Sequence, residues 1–263
     1  MWRRWLRANA AFRHTATFEW PYAGQIAQSL ARCCVIQSLI MKSALIVYGG
    51  WEGHQPKEVA HLLRDDLVKH GFAVELSTTL DAFLDGEKLK RLNLIVPMYT
   101  MSTITRDQLS PLLEAVRSGV GIAGCHGGMC DAFRNETEYQ FMTGGQWVAH
   151  PGNDGRHYVV NITDQNPITQ DLQDFEVWSE KYYMHVDPAI RVLATTRFED
   201  YNDTIMPVTW TKLYGKGRVF YCSLGHQANI VEMPPVMTMM SRGMRWAAGE
   251  WQTEIGTPFA KIF

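Results

Sequence analysis

The chain has 263 residues, 46% of them hydrophobic, which is enough apolar material for one large buried core. A formal net charge of −2 and an ordinary 20% of charged residues argue against a nucleic-acid or polyanion partner. The five cysteines are unevenly spaced, which argues against a disulfide framework and favours a reducing, cytoplasmic location.

Residues 1–40 differ from the rest in composition, because they hold five arginines, no lysine and a single acidic residue, Glu19. An arginine-rich, acid-poor start is typical of a targeting segment. However, Gln25, Gln28 and Arg32 interrupt any apolar core and make the segment too polar to span a bilayer, so we expect no membrane partner. We therefore expect residues 1–40 to be a disordered extension or a mis-assigned start, and residues 41–263 to form one domain.

The first predicted elements alternate between strands and helices. The run "SALIVYGG" predicts a buried strand that ends in a glycine loop. Pro56 then suits the first turn of a helix whose apolar face repeats every four residues and which stops near Gly71. "FAVELS" predicts a second strand, and "LNLIVPM" predicts a third that is too continuously apolar to be half exposed.

The next helix and strand continue the alternation. Thr105 and Gln108 form a capping-box pattern at the start of a helix that Gly119 ends, and "VGIAG" predicts a fourth strand. Such alternation implies right-handed crossovers and a mainly parallel sheet covered on both faces, with ligands at the carboxyl ends of its strands. A last helix is predicted from Pro234 or Pro235. Five strand patterns before it extend the sheet: "RHYVVNI", "FEVWSEKYY", "IRVLATT", "MPVTWTKL" and "GRVFYCSLG".

Glycines flank a single histidine where the fourth strand ends, in "VGIAGCHGGMCDAF". A strand-to-helix elbow has the pattern G-x-nucleophile-x-G, and here Gly124 and Gly128 bracket His126 rather than Cys125. The elbow therefore presents an imidazole, which serves as a general base or as a metal ligand. We expect Cys125 to be a small buried hydrophobic residue, and a thiol hydrolase that uses it is the less favoured interpretation.

Three more histidines, His54, His150 and His226, lie on glycine-marked loops after predicted strands. Together with His126 they make four candidate histidines. If any three of the four converge, they would hold a divalent metal such as zinc, and a carboxylate could join them. Glu180 is the best candidate acid, because it interrupts the aromatic strand "FEVWSEKYY". A charged side chain is rarely found in such a strand unless it has a partner or a function. A polar pocket without a metal is the alternative.

Aromatic residues lie close to the same loops. Flat rings stack on sugar faces while neighbouring polar groups bond the hydroxyls, so Trp51, Trp147 and Tyr182 are candidate substrate-binding residues. Most tryptophans are core residues, and we expect Trp178 to be one of them.

Five segments together resemble the ThuA-like (trehalose-utilisation) family, from about Ser43 to Gly249. They are "IVYGGWEGHQPKEVA", "LNLIVPMYTM", "GIAGCHGGMCDAFRNETEYQFMTGGQWVAHPG", "SEKYYMHVDP" and "PVTWTKLYGKGRVFYCSLGH". The resemblance implies a three-layer α/β fold of the flavodoxin-like, class I glutamine amidotransferase-like type. In a true amidotransferase a cysteine stands where this chain has His126, and a glutamate stands where it has Ala228. Glutaminase chemistry is therefore not expected.

The resemblance implies a role in disaccharide catabolism, alongside a dehydrogenase that makes 3-keto sugars, and a small carbohydrate as the partner. It also implies a metal-binding histidine set. By the matching motifs we carry over the site residues His54, His126, His150, Glu180, Tyr182 and His226.

We expect a lyase, isomerase or hydrolase of a sugar or keto sugar. His126 or Glu180 would act as base at a carbon next to a carbonyl, and a metal or His226 would stabilise the enolate. The alternative is a non-catalytic sugar-binding or regulatory protein on a scaffold that lost its cysteine nucleophile. The sequence leaves open whether the chain forms a homo-oligomer.

Overall fold

The computed structural model describes residues 41–251, and a nine-stranded sheet forms the centre of this part of the chain. The expectation for residues 1–40 lies outside the described residues. The strands are β1 (Ser43–Gly50), β2 (Ala73–Ser77), β3 (Leu94–Thr100), β4 (Gly121–Cys125), β5 (Gly145–Ala149), β6 (Arg156–Ile162), β7 (Phe175–Ser179), β8 (Tyr183–Val186), β9 (Arg191–Phe198), β10 (Thr204–Tyr214) and β11 (Gly217–Cys222). The helices are α1 (Pro56–Lys69), α2 (Gly86–Lys90), α3 (Arg106–Ser118), α4 (His126–Cys130), α5 (Thr137–Thr143), α6 (Ala228–Val231) and α7 (Pro234–Ala247).

The sheet has the order β2-β1-β3-β4-β11-β10-β9-β6-β7. The first five strands pair in parallel, and each neighbouring pair from β11 outward to β7 is antiparallel. Seven of the nine strands therefore run in one direction, while β10 and β6 oppose it. The predicted mainly parallel α/β sheet is confirmed, and the carboxyl ends of β1, β3, β4 and β11 share one edge.

Helices cover both faces of this sheet, which makes three layers. On one face, Leu63 of α1 and Met244 of α7 belong to a single buried apolar cluster. On the other face, Leu109 of α3 and Met142 of α5 belong to a second cluster. The predicted capping box is present at the start of α3, because the side chain of Thr105 accepts a hydrogen bond from the backbone N–H of Gln108.

The segment "FEVWSEKYY" differs from its prediction as one strand. It forms β7, leaves the sheet at Glu180 and re-enters a strand at Tyr183, where β8 pairs with β5 in a separate two-stranded sheet. The Tyr158 hydroxyl donates a hydrogen bond of 2.8 Å to the backbone carbonyl of Glu180, which anchors the break. The break directs a carboxylate into the interior at the edge of the large sheet.

The prediction that Trp178 is a core residue is wrong, because 66% of its surface is exposed. Residues in a strand point alternately to opposite faces, and in β7 the inward position belongs to the buried Val177. β7 is the last strand of the sheet, and Trp178 lies on its exposed face next to the ring of His157.

No helix between residues 41 and 251 has both the length and the apolar character needed to cross a bilayer.

Candidate metal centre

Four of the predicted site residues meet at the carboxyl-end edge of the sheet. His54 closes a 3₁₀ turn after β1, His126 follows β4 directly, and His226 lies in the loop after β11. Glu180 reaches the same place from the break between β7 and β8. Parallel neighbours bring their carboxyl ends together, so residues more than 170 positions apart in sequence become adjacent in space.

The backbone at His126 makes a sharp strand-to-helix elbow. Its φ of 48° lies in the left-handed region that is uncommon for a residue with a side chain. The next two positions must be glycine, because a Cβ at Gly127 would lie 2.7 Å from Cε1 of His54, and a Cβ at Gly128 would lie 2.9 Å from Cα of Met98. The elbow and its glycines therefore allow His54 and His126 to pack ring against ring, with centroids 4.6 Å apart.

One carboxylate oxygen, Oε2 of Glu180, lies within 4.0 Å of a nitrogen from each of four imidazoles. The distances are 3.1 Å to Nε2 of His126, 3.4 Å to Nδ1 of His226, 3.6 Å to Nδ1 of His150 and 4.0 Å to Nε2 of His54. His54, His126, Glu180 and His226 form a compact ligand set, because one nitrogen or oxygen from each lies within 4.8 Å of the others. His150 is not part of this set.

Neighbouring groups determine which nitrogen of His126 carries its proton. Nδ1 lies 2.8 Å from the backbone carbonyl of Ser223, which only accepts, so Nδ1–H donates there. In the neutral ring Nε2 is then an acceptor, and it faces another acceptor, the Glu180 oxygen. Only a proton or a cation between the two atoms makes this contact favourable. Burial lowers the pKa of His126, although Glu180 opposes the shift, so the proton is disfavoured.

The residues present fit a divalent cation. Nδ1 of His226 and Nδ1 of His150 are buried without a hydrogen-bond partner, which is costly unless another ligand engages them. Burial, together with the neighbouring histidines, lowers the pKa of His54 to about 2. Burial alone would raise the pKa of Glu180, but the neighbouring imidazoles of His126 and His226 lower it overall. The lowered pKa values of His54, His126 and Glu180 favour the deprotonated forms that bind a metal. Three imidazoles with one carboxylate suit zinc and similar transition metals.

A cavity of about 320 Å³ opens above Glu180. Two of the three candidate substrate-binding residues, Trp51 and Tyr182, line it, and so does His150, which was predicted as a metal ligand. The other lining residues are His54, Met101, Asp131, Arg134, Asn153, Asp154, Glu180 and His226. His126 does not line it, because the ring of Tyr182 stacks on it with centroids 3.9 Å apart. Trp147 also lies behind the wall, where it contacts His150 and Arg134.

Sequence reasoning missed three charged residues of this cavity, Asp131, Arg134 and Asp154. Asp131 and Arg134 follow the elbow directly, and Arg134 donates two parallel hydrogen bonds to Asp131, Nε to Oδ1 at 2.6 Å and Nη2 to Oδ2 at 2.9 Å. An acid and an arginine three residues apart, immediately after the elbow, is the signal that could have identified them.

The cysteines of the described chain, Cys125, Cys130 and Cys222, are all buried. Burial raises the pKa of the Cys222 thiol to about 11 and that of Cys125 further still. The Cys125 sulfur packs 3.9 Å from that of Met98. The expectation that Cys125 is a buried hydrophobic residue is confirmed.

Solved structures share this fold. A ThuA-like protein from Parabacteroides merdae ATCC 43184 is 22% identical, with a TM-score of 0.64 over 82% of this chain and 92% of its own. A ThuA-like protein from Bacteroides uniformis ATCC 8492 is 18% identical, with a TM-score of 0.65 over 79% and 91%. The cytoplasmic protein STM1381 of Salmonella typhimurium LT2 is 13% identical, with a TM-score of 0.57 over 78% and 99%.

No curated protein matches the chain in sequence. The family model for ThuA, described as trehalose utilisation, matches residues 43–247. That match covers well over half of the chain, and the predicted resemblance is confirmed: this protein belongs to the ThuA family.

Proposed function

We propose that the protein is a metal-dependent enzyme of carbohydrate catabolism that acts on a disaccharide or 3-keto sugar. The observation that carries this proposal is the convergence of four imidazole nitrogens on one oxygen of Glu180 at the base of a cavity. Membership of a trehalose-utilisation family supports carbohydrate as the substrate class.

His54, His126, Glu180 and His226 would hold the ion, because they form the compact ligand set. A bound divalent ion would supply Lewis acidity toward a carbonyl or hydroxyl oxygen. The cavity volume lies at the lower end of the range for small-molecule sites, which suits one sugar unit. Trp51 and Tyr182 present aromatic surface to that unit.

Proton exchange with a bound sugar needs a group that reaches the cavity. Glu180 and His150 line the cavity, whereas His126 lies beneath Tyr182. We therefore assign the proton-accepting role to Glu180 or His150. His126 has a positioning role, because it orients the side chain of Glu180. Its bond to the Ser223 carbonyl fixes the ring for this task.

The test is an activity assay in which protein reconstituted with zinc, manganese or iron is incubated with a 3-keto disaccharide. Chromatography measures how much of the sugar is consumed. We expect consumption of the sugar, a loss of at least about 100-fold in Glu180→Gln, and little change in the exposed control His157→Gln. If wild-type protein bound the sugar but did not turn it over with zinc, with manganese or with iron, the enzymatic proposal would fail. A non-catalytic sugar-binding protein would then be the better account.

A further inference from the structure

The cavity wall holds a guanidinium whose position is fixed from two sides. Asp131 binds Arg134 through two parallel hydrogen bonds, and the Asp131 side chain is only 4% exposed. The Arg134 guanidinium lies 4.5 Å from the centroid of the Trp147 ring. Such a paired and stacked arginine loses little further freedom when it binds a ligand.

This guanidinium keeps donors available. Arginine has five N–H groups, and two of them bind Asp131, so three remain. Among residues 41–251, no second acceptor is bonded to the Arg134 guanidinium, and its side chain is 43% exposed at the cavity. The remaining donors are therefore free to meet oxygens of a bound molecule.

The charges along this wall do not favour an anion. The Asp131 carboxylate already balances Arg134, and Asp154 adds a further negative charge to the cavity lining. Of the described residues that line the cavity, Arg134 is the single lysine or arginine. A neutral hydroxyl or keto oxygen accepts a hydrogen bond from such a balanced pair without adding another negative charge.

We propose that Arg134, held by Asp131 and Trp147, is a substrate-binding residue that donates to adjacent oxygens of an unphosphorylated sugar. This inference rests on the proposed function, because it specifies the sugar that the same cavity takes. Arg134 orients the sugar over Glu180, while the Asp131 and Asp154 carboxylates disfavour a sugar phosphate.

Calorimetric titration with trehalose and with trehalose 6-phosphate tests the proposal, with the metal content of each variant measured in parallel. We expect wild-type protein to bind trehalose more tightly than its phosphate. Arg134→Ala should bind trehalose roughly 10- to 100-fold more weakly while keeping its metal. Arg134→Lys leaves a cation for the buried Asp131 but removes the planar fork, so it should also bind trehalose more weakly. The control Arg106→Ala, at an arginine that pairs with Glu138 outside the cavity lining, should bind like wild type.

Tighter binding of the phosphate, lost in Arg134→Ala, would overturn the inference and identify an anion site. Unchanged trehalose binding in both Arg134 variants would overturn the inference alone and leave the proposed function standing. If wild-type protein bound neither compound, the inference would fail, while the proposed function would still be decided by its own test with a 3-keto disaccharide.

Discussion

Nε2 of His126 lies 3.1 Å from Oε2 of Glu180, while Nδ1 of the same ring donates to the backbone carbonyl of Ser223. Two acceptors thus face each other in a buried place unless something positive lies between them. Burial opposes an imidazolium there, because it lowers the pKa of His126. The contact is therefore the strongest physical support for the cation site that we propose at this edge of the sheet.

The protein without metal should become less stable as the pH falls below about 6.5. The pKa of His54 is lowered to about 2 and that of His126 is also lowered, so the unfolded chain takes up protons that the folded chain excludes. Each histidine should cost about 1 kcal/mol of unfolding free energy per pH unit in this range. The lowered pKa of Glu180 adds a further loss below about 4.5.

Urea unfolding in a chelator at pH 7.5 and pH 5.5 measures this effect. Between pH 7.5 and pH 5.5, the free energy of unfolding should fall less in His54→Gln than in wild type. In the exposed control His157→Gln it should fall by as much as in wild type. Equal pH dependence in wild type and His54→Gln would contradict the burial of a neutral His54.

Gly127→Ala should damage both stability and metal binding. The added Cβ would lie 2.7 Å from Cε1 of His54 and 2.8 Å from Cγ2 of Thr100, so the His54 ring must move. Overpacking of this kind costs about 1–3 kcal/mol. Gly155→Ala is the matched control, because a Cβ there meets no atom within 4 Å. Differential calorimetry with and without metal should show the loss in the first variant, and equal behaviour of the two variants would refute the proposed crowding.

Cys125, Cys130 and Cys222 should resist alkylation in the folded protein. All three are buried, and burial raises their thiol pKa values, which removes the reactive thiolate. Mass spectrometry after iodoacetamide treatment should find these three sites unmodified in buffer and modified in denaturant. Rapid modification of Cys125 with a matching loss of activity would instead support thiol catalysis.

The sequence predicted the histidine positions well, because parallel strands impose one shared edge. Once β1, β4 and β11 are recognised as parallel strands, His54, His126 and His226 must lie at the same edge. The glycine spacing identified the elbow residue, since only small neighbours permit the left-handed backbone at His126. Glu180 stood out because a charge within an aromatic segment is costly without partners.

Other features depend on tertiary contacts that no local pattern contains. The break at Glu180 depends on Tyr158, which lies in a neighbouring strand, and on the pairing of β8 with β5. The exposure of Trp178 follows from the place of β7 at the sheet margin, because an edge strand can leave its outer face uncovered. The Asp131–Arg134 pair lies in a short turn without hydrophobic periodicity, so only its position after the elbow marks it.

Elemental analysis of gently purified protein by plasma mass spectrometry tests the metal centre most directly. The variants are His54→Ala and His226→Ala, from the compact ligand set, with His157→Ala as the exposed control. We expect about one divalent ion per chain in wild type and in the control, and a large loss in both ligand variants. Wild-type protein that stays free of metal after reconstitution, or ligand variants that keep a full complement, would contradict a metal centre at Glu180.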